Sequence, residues 1–386
     1  MGCKFKSLAL WTRIFNRVLS DDRKSPLRFP LNIMKRIGIF DFWHKYRLCF
    51  SWSMASILSE RFEVVYFTTK DFPEGEQKFE LARLPIAWPE KTHIHTWLRL
   101  LHSCKASLKV RNMVRSFGLD LIYFAFNHPL LPFFYFRDVP LINTVHELDF
   151  RQGWTSVLNN ASLYLTLSRC SAVTVMNPGY MDRFKAKSMK CFSFPHPPYS
   201  VPGAQERQTN FPIKFLFFGK IRHDKGLDLL LRAAKRVRDR GYRFGLTIAG
   251  NGRMKPYRGA VQPLGHGIQI INKFLEDRDV VDLLGAHDMA ILPYRSVSQS
   301  GVATLCNSCA LPMMVADLGG LLPNIHDGKT GLSFRQGDVK SLTNKMIDII
   351  ERPERIGTFR EALAGRNHFD SMKIISIFNS ILYGGS

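Results

Sequence analysis

A chain of 386 residues is long for a single domain and has enough material to bury two cores. Hydrophobic residues make up 45% and charged residues 22%, which excludes both a disordered tail and a membrane-spanning bundle. The 54 Lys and Arg against 32 Asp and Glu leave a formal charge of +22, a balance that favours polyanions or anionic surfaces.

Residues 1–30 read as a basic leader. In "KFKSLALWTRIFNRVLS", Leu8, Trp11, Phe15 and Val18 recur at helical spacing, which suits an anionic bilayer surface or, equally, packing on the chain's own domain. Arg13 breaks the apolar run and excludes a secretory signal, and Lys6 stands where N-myristoylation requires Ser or Thr. In "LDLIYFAFNHPLLPFFYF", Asp120, Asn127, His128 and two prolines end the apolar run before it reaches the length of a membrane crossing. The expected location is cytoplasmic, peripheral to the inner face of the cell membrane. Seven scattered cysteines fit reduced thiols. No zinc-finger spacing, RNP-like strand or basic zipper accompanies the charge, so no nucleic-acid partner is expected.

Strand and helix patterns then alternate. "RIGIF", "EVVYFTT", "LDLIYFAF", "PLINTVH", "SAVTVMNP" and "KCFSFPH" are apolar runs of strand length. "SWSMASILSERF" and the segment 81–118 read as helical between them. The Pro-rich stretch 195–212 reads as a linker, after which "KFLFFG", "RFGLTIAG", "IQIINKF", "MAILPY", "MMVAD" and "TGLSF" alternate with helices. The expected class is α/β: two Rossmann-like, doubly wound parallel-sheet domains, 31–200 and 201–365, facing a central cleft. A last helix within 366–386 would cross back to the first domain.

Three loops carry chemistry. In "FLFFGKIRHDKGLDLLLRAA", a turn at Gly219 and the cations Lys220, Arg222 and Lys225 precede a helix whose first N–H groups favour a diphosphate; a solvated basic loop is the plainer reading. In "PYRSVSQSGVATLCNSC", the turn Ser298-Gln299-Ser300-Gly301 offers backbone amides to an anion. Cys306 and Cys309 of the same stretch lie in a helix where small thiols pack as apolar groups. In "ADLGGLLPNIHDGKTG", Gly319 and Gly320 allow either close approach to a ligand or a tight turn of positive φ. "AGNGRM" is a weak dinucleotide fingerprint, because Lys255 stands at its third glycine position, and Asp277 and Asp279 read as solvated helix caps. The histidines at 44, 128, 196, 223, 266, 287 and 326 show no metal-ligand spacing and read as surface or core residues.

In order and interval, "FFGKIRHDKGLDLLLRAA", "LTIAGNGR", "VVDLLGAHDMAILPYRSVSQSGVATL" and "PMMVADLGGLLPNIHDGKTGLSF" resemble the C-terminal half of retaining glycosyltransferase family 4, which has the GT-B fold. "LINTVHELDFRQGW" and "FSFPHPPY" extend the resemblance more weakly into the first half. The resemblance implies retaining transfer of a sugar from a nucleotide diphosphate donor to a glycan or lipid-linked acceptor in cell-surface polysaccharide biosynthesis, without a metal ion or other cofactor. It assigns Lys220 and Lys225 to the diphosphate, the Ser300 and Gly301 amides to the same phosphates, and His146 to the donor sugar near the reacting carbon. Gly219, Arg222, Gln299, Gly319 and Gly320 complete the expected donor site. The family's Glu-x7-Glu is absent: Val297 and Leu305 hold its two positions. The sequence resembles a branch with a "PYRS…QSG" loop, in which Gln299 and Ser300 are the polar replacements. The missing carboxylates also leave open a catalytically inactive GT-B-like binding or scaffold protein.

Overall fold

The structure, a computed structural model, describes residues 34–41, 47–69, 71–72, 77–84, 110–126, 139–146, 163, 166–185, 188–201, 209, 211–365 and 369–384. The leader 1–30 lies outside the described residues. Two all-parallel sheets carry the chain. The first comprises β1 (Arg36–Asp41), β2 (Glu63–Thr68), β3 (Glu80–Arg83), β4 (Leu121–Phe124), β5 (Leu141–Val145), β6 (Ala172–Val175) and β7 (Cys191–Ser193), in the order β3-β2-β1-β4-β5-β6-β7. The second comprises β8 (Lys214–Phe218), β9 (Gly245–Ala249), β10 (Ile268–Ile271), β11 (Met289–Leu292), β12 (Met313–Ala316) and β13 (Gly331–Phe334), in the order β10-β9-β8-β11-β12-β13. Their strands are the apolar runs of the sequence, and the central ones are buried along their whole length, as a sheet covered on both faces requires.

Strand order reverses between β1 and β4 in the first sheet and between β8 and β11 in the second. At such a switch point neighbouring loops diverge beyond the carboxyl ends of the strands, leaving the crevice where open α/β sheets take their ligands. The loops after β8 and β11 are those that carry Gly219 to Lys225 and Ser298 to Gly301.

Helix α1 (Phe50–Leu58) follows β1, and α2 covers residues 110–116. Helix α3 (Leu227–Asp239) turns Leu227, Leu230, Leu231, Ala234 and Val237 onto the second sheet at helical spacing. It is followed by α4 (Asp277–Gly285), α5 (Gly301–Ser308), α6 (Val339–Glu351), α7 (Glu354–Ala364) and α8 (Ser371–Tyr383). Helix α8 returns to the first sheet: Ile374, Ile375 and Phe378 join its core, and the Phe378 ring meets Tyr123 edge-on at 5.1 Å. Among the described residues no helix is long and apolar enough to cross a membrane.

Two expectations are corrected. The helical reading of 81–118 fails at its start, where Glu80–Arg83 pairs with Val65–Thr68 as β3. Exposed Leu81 beside buried Ala82 follows the two-residue period of an edge strand, which a short apolar stretch does not distinguish from a helical stripe. Residues 85–109 of that pattern lie outside the described residues. Asp277, expected to be a solvated cap, instead accepts the backbone N–H groups of Arg47 at 2.7 Å and Leu48 at 3.3 Å, joining the start of α4 to the segment before α1. Burial pushes its carboxyl pKa up, against the pull of these two donors.

Candidate functional site

The rim of the second sheet is built by close backbone contact. Gly219 leaves β8 at φ +129° and Gly250 leaves β9 at φ +140°; a Cβ on Gly250 would lie 1.9 Å from the Gly219 carbonyl oxygen. A Cβ on Gly252 would lie 2.3 Å from the Ile221 oxygen, and Ile221 N–H donates to Asn251 O at 3.1 Å. The glycines of "AGNGRM" therefore let the 219–221 turn run alongside the 250–252 turn, a role that fixes the Gly219 turn and that a fingerprint reading does not suggest.

The basic loop then folds as a short 3-10 turn, His223–Lys225, ending on Gly226 at φ +67°. A Cβ on Gly226 would lie 1.8 Å from the Pro293 carbonyl oxygen, so the start of α3 abuts the end of β11. Arg295 clamps the junction: its guanidinium donates to both Asp228 oxygens at 2.7 Å and to His223 O at 3.0 Å, and its own N–H donates to Asp224 O at 2.8 Å. The Arg295 contact holds the Asp228 carboxyl below its ordinary range. Arg222 donates through Nε and Nη2 to the Asp224 carboxylate at 2.7 and 2.6 Å, so its charge is met within the loop. Asp224 lies below its ordinary range too: its largest influence, burial, raises it, and the Arg222 and Lys225 charges together outweigh that. Lys225 is half-buried, with Nζ 3.8 Å from the centre of the Tyr294 ring and 3.9 Å from an Asp224 oxygen. Lys220 is exposed, with no ion pair recorded among the described residues.

Helix α5 begins at Gly301, which makes Ser300 its N-cap. The Ser300 Oγ accepts from Ala303 N–H at 3.2 Å and is buried, so the side chain braces the helix start and any anion would meet the turn's amides. Tyr294 is buried against the same turn. Burial pushes its phenol pKa up, and a hydrogen bond to Ser300 opposes the rise. A Cβ on Gly301 would lie 2.8 Å from the Tyr199 hydroxyl, so the segment after β7 also touches this helix start. Gly319 and Gly320 sit in a tight turn closed by Leu321 N–H on Leu318 O at 2.8 Å, and neither has the positive φ expected of it. Gly320 is required because a Cβ there would lie 2.5 Å from the Val297 carbonyl oxygen, whereas Gly319 faces open space.

From the first sheet, His146 follows β5. Its Nε2 lies 2.7 Å from Ala125 O and so carries the proton; the ring stacks on Phe126 at 4.4 Å and meets Phe50 edge-on at 4.9 Å. Its carbonyl oxygen accepts from Ser298 Oγ at 3.4 Å, and Asn177 Nδ2 donates to Ser298 O at the same distance, so both sheets hold the 298–301 turn. Buried Asp41, ending β1 at the first switch point, accepts from the Ser51 and Tyr66 hydroxyls.

Between the turn and the first sheet lies a cavity of about 340 Å3 lined by Gln299, Ser300, Gly319 and Gly320 of the expected site, with His196 and Asn307 among the additions. His196, read from sequence as a surface or core residue, is at the cavity wall; burial lowers its pKa to about 4, and its Nδ1 donates to Pro197 O at 2.8 Å. The Pro-His-Pro-Pro run was its only local signal. Lys220, Lys225, Arg222, Gly219, Gly301 and His146 stand outside this cavity's wall. Cys306 and Cys309 are buried in the second core, where burial pushes the Cys306 thiol up, in keeping with an apolar packing role. No group of three or more His, Cys, Asp or Glu suited to a metal ion occurs among the described residues.

Residues 212–352 match the family described as "Glycosyl transferases group 1". The glycogen synthase of Mycobacterium tuberculosis is 24% identical over 328 residues, covering 79% of this chain and 78% of that protein. Among solved structures, sucrose-phosphate synthase from Thermosynechococcus elongatus superposes with a TM-score of 0.65 at 16% identity, covering 91% of this chain and 100% of that one. Anabaena Alr3699/HepE in complex with UDP and glucose does so with 0.63 at 15%, again covering 91% and 100%. The chain thus has the GT-B fold, and its second half carries the group 1 glycosyl transferase pattern.

Proposed function

We propose that the protein is a retaining glycosyltransferase that takes a sugar from a nucleotide diphosphate donor and passes it to a glycan or lipid-linked acceptor in cell-surface polysaccharide assembly. The observation that carries the reading is the meeting, at one switch point, of the Gly219–Lys225 loop with the capped start of α5. When the bond from sugar to diphosphate breaks, negative charge accumulates on the departing phosphates. Lys220 and Lys225, with the Gly301 and Val302 amides at the helix start, are the groups that stabilise it. Arg222 shapes the loop through Asp224 and is a supporting residue in this scheme. His146, steadied by Ala125, Phe126 and Phe50, faces the 298–301 turn from the first sheet and serves the donor sugar near the reacting carbon. Gln299, Gly319 and Gly320 border the space for the sugar. The basic leader adds attraction to an anionic membrane surface on the cytoplasmic side.

The test is release of nucleotide from a panel of UDP, GDP and ADP sugars by wild-type protein and by Lys225→Ala. Sugar-dependent release by the wild type, with a large loss in the variant, is the expected result. Equal turnover by both would overturn the assignment of the diphosphate site.

A second reading, a GT-B protein that binds nucleotide without transferring sugar, is favoured by one feature. The positions expected for paired carboxylates hold Val297, packed against the core, and Leu305, buried within it. Stabilisation by a nucleoside diphosphate in a thermal-shift measurement, without release from any donor, would select this reading.

A further inference from the structure

The cavity between the Ser300 turn and the first sheet differs from its surroundings in charge. Among the described residues that line it none is Lys, Arg, Asp or Glu, in a chain whose formal charge is +22. The histidine among its described lining residues, His196, is neutral at physiological pH. Four amide side chains, Asn177, Gln299, Asn307 and Asn324, supply its polarity instead. Two of them are incomplete: Gln299 Oε1 and Asn307 Oδ1 are buried acceptors with no hydrogen-bond partner. The Asn307 amide is oriented by its other end, because Nδ2 donates to Asn324 O at 2.8 Å, which leaves Oδ1 as the atom in want of a donor. Prolines and Phe369 provide apolar wall between the amides.

A buried carbonyl oxygen without a donor is costly, and both orphans here demand the same complement, an O–H or N–H. Among the described lining residues a carboxylate or phosphate on the occupant would meet acceptors and no cation, and an ammonium would find no carboxylate. Resting on the glycosyltransferase reading, we propose that this cavity selects an uncharged, hydroxyl-bearing sugar ring, with Gln299 Oε1 and Asn307 Oδ1 each accepting a hydroxyl. Apolar wall suits the C–H faces of such a ring, and a neutral site rejects uronates and phosphorylated sugars through the desolvation they would suffer unpaired. The ring belongs either to the donor's transferred sugar or to the acceptor, and the two sources share this chemistry.

Calorimetric titration of the full chain separates them. One arm compares UDP-glucose with UDP-glucuronate, GDP-mannose with GDP-mannuronate, and each with its free nucleoside diphosphate. The other compares neutral methyl glucoside with methyl glucuronide on nucleotide-loaded protein. At least tenfold preference for the neutral partner in the first arm assigns the cavity to the donor sugar, and in the second arm to the acceptor. Gln299→Met and Asn307→Leu each remove one acceptor at similar size, and each should weaken the neutral ligand about three- to tenfold; Asn307→Leu, outside the expected donor site, should leave free nucleoside diphosphate affinity unchanged. Should one variant fail to fold, the other and the wild-type ligand comparison still decide. Equal binding of neutral and anionic partners in both arms, or undiminished preference in both variants, overturns the proposal. If no nucleoside diphosphate binds, the glycosyltransferase reading falls, and the methyl glycosides on unloaded protein then judge the cavity alone.

Discussion

The two ends of the second sheet's carboxyl rim are held in place by different means. Beside β8 and β11 the loops are charged and each arginine is answered locally, Arg222 by Asp224 and Arg295 by Asp228, while glycines press backbone against backbone. Beside β12 the rim is set by Gly320 against the Val297 carbonyl, and it borders the cavity in which two acceptor oxygens are left without donors. Charge at the first end thus sits on loops whose geometry is already enforced, and none of the described residues lining the adjoining cavity carries it. Under the proposed function the first end grips phosphates and the second receives a sugar.

The strongest attempt to break this contrast is Gly226→Ala. With φ at +67° and the Pro293 oxygen 1.8 Å from the new Cβ, the substitution should cost about 3 kcal/mol or more and lower Tm by on the order of 5–10 °C in scanning calorimetry. An unchanged Tm would mean that the charged end is not rigidly built. Lys225→Ala follows: loss of a charge-assisted contact should weaken nucleoside diphosphate binding about 10- to 100-fold in titration calorimetry, with binding of neutral methyl glycosides unaffected. A parallel loss of both would merge the two ends into one site.

Acid sharpens the difference. His196, neutral in the fold with its pKa lowered to about 4 from 6.5, contributes full stability above 6.5 and loses it as pH falls toward 4, because the unfolded chain takes up the proton first. Between pH 7.5 and 5 this amounts to about 2 kcal/mol, and Tm measured at the two pH values should show a larger drop in the wild type than in His196→Phe. The carboxyls of Asp224 and Asp228 act in the same direction but in a more acid window. Lowered in the fold, they contribute above their unfolded value near 4 and fail only as pH falls through their depressed values. The smallest effect is Asp228→Asn, which removes one side of a partly exposed bidentate pair and should cost about 1 kcal/mol in urea unfolding.

Much of the architecture was legible in the sequence because buried parallel strands leave apolar runs and their alternation with helices repeats. The loop from Gly219 to Lys225 and the turn at Ser300 were legible because each follows such a run directly. What escaped was non-local. Pairing of Arg295 with Asp228 spans 67 positions, the need for glycine at 250 and 252 arises from the separate turn at 219–221, and Asp277 acts on residues 230 positions earlier. β3 was misread because an edge strand with one buried residue has too little pattern to override a helical neighbourhood. The cap at Ser300 was not read from the sequence, and with it the division of labour between a side chain that braces and the amides of the turn went unseen.

The pair of hydrogen bonds at Asp277 bears on how the two sheets can part. Any swing that widens the gap must withdraw the Asp277 carboxylate from the Arg47 and Leu48 amides. All three groups become wet in doing so, and water replaces each partner at small net loss while relieving the carboxylate of its dehydration. The contact therefore has low holding strength, and under the proposed function it would act as a latch that yields as substrate enters or product departs.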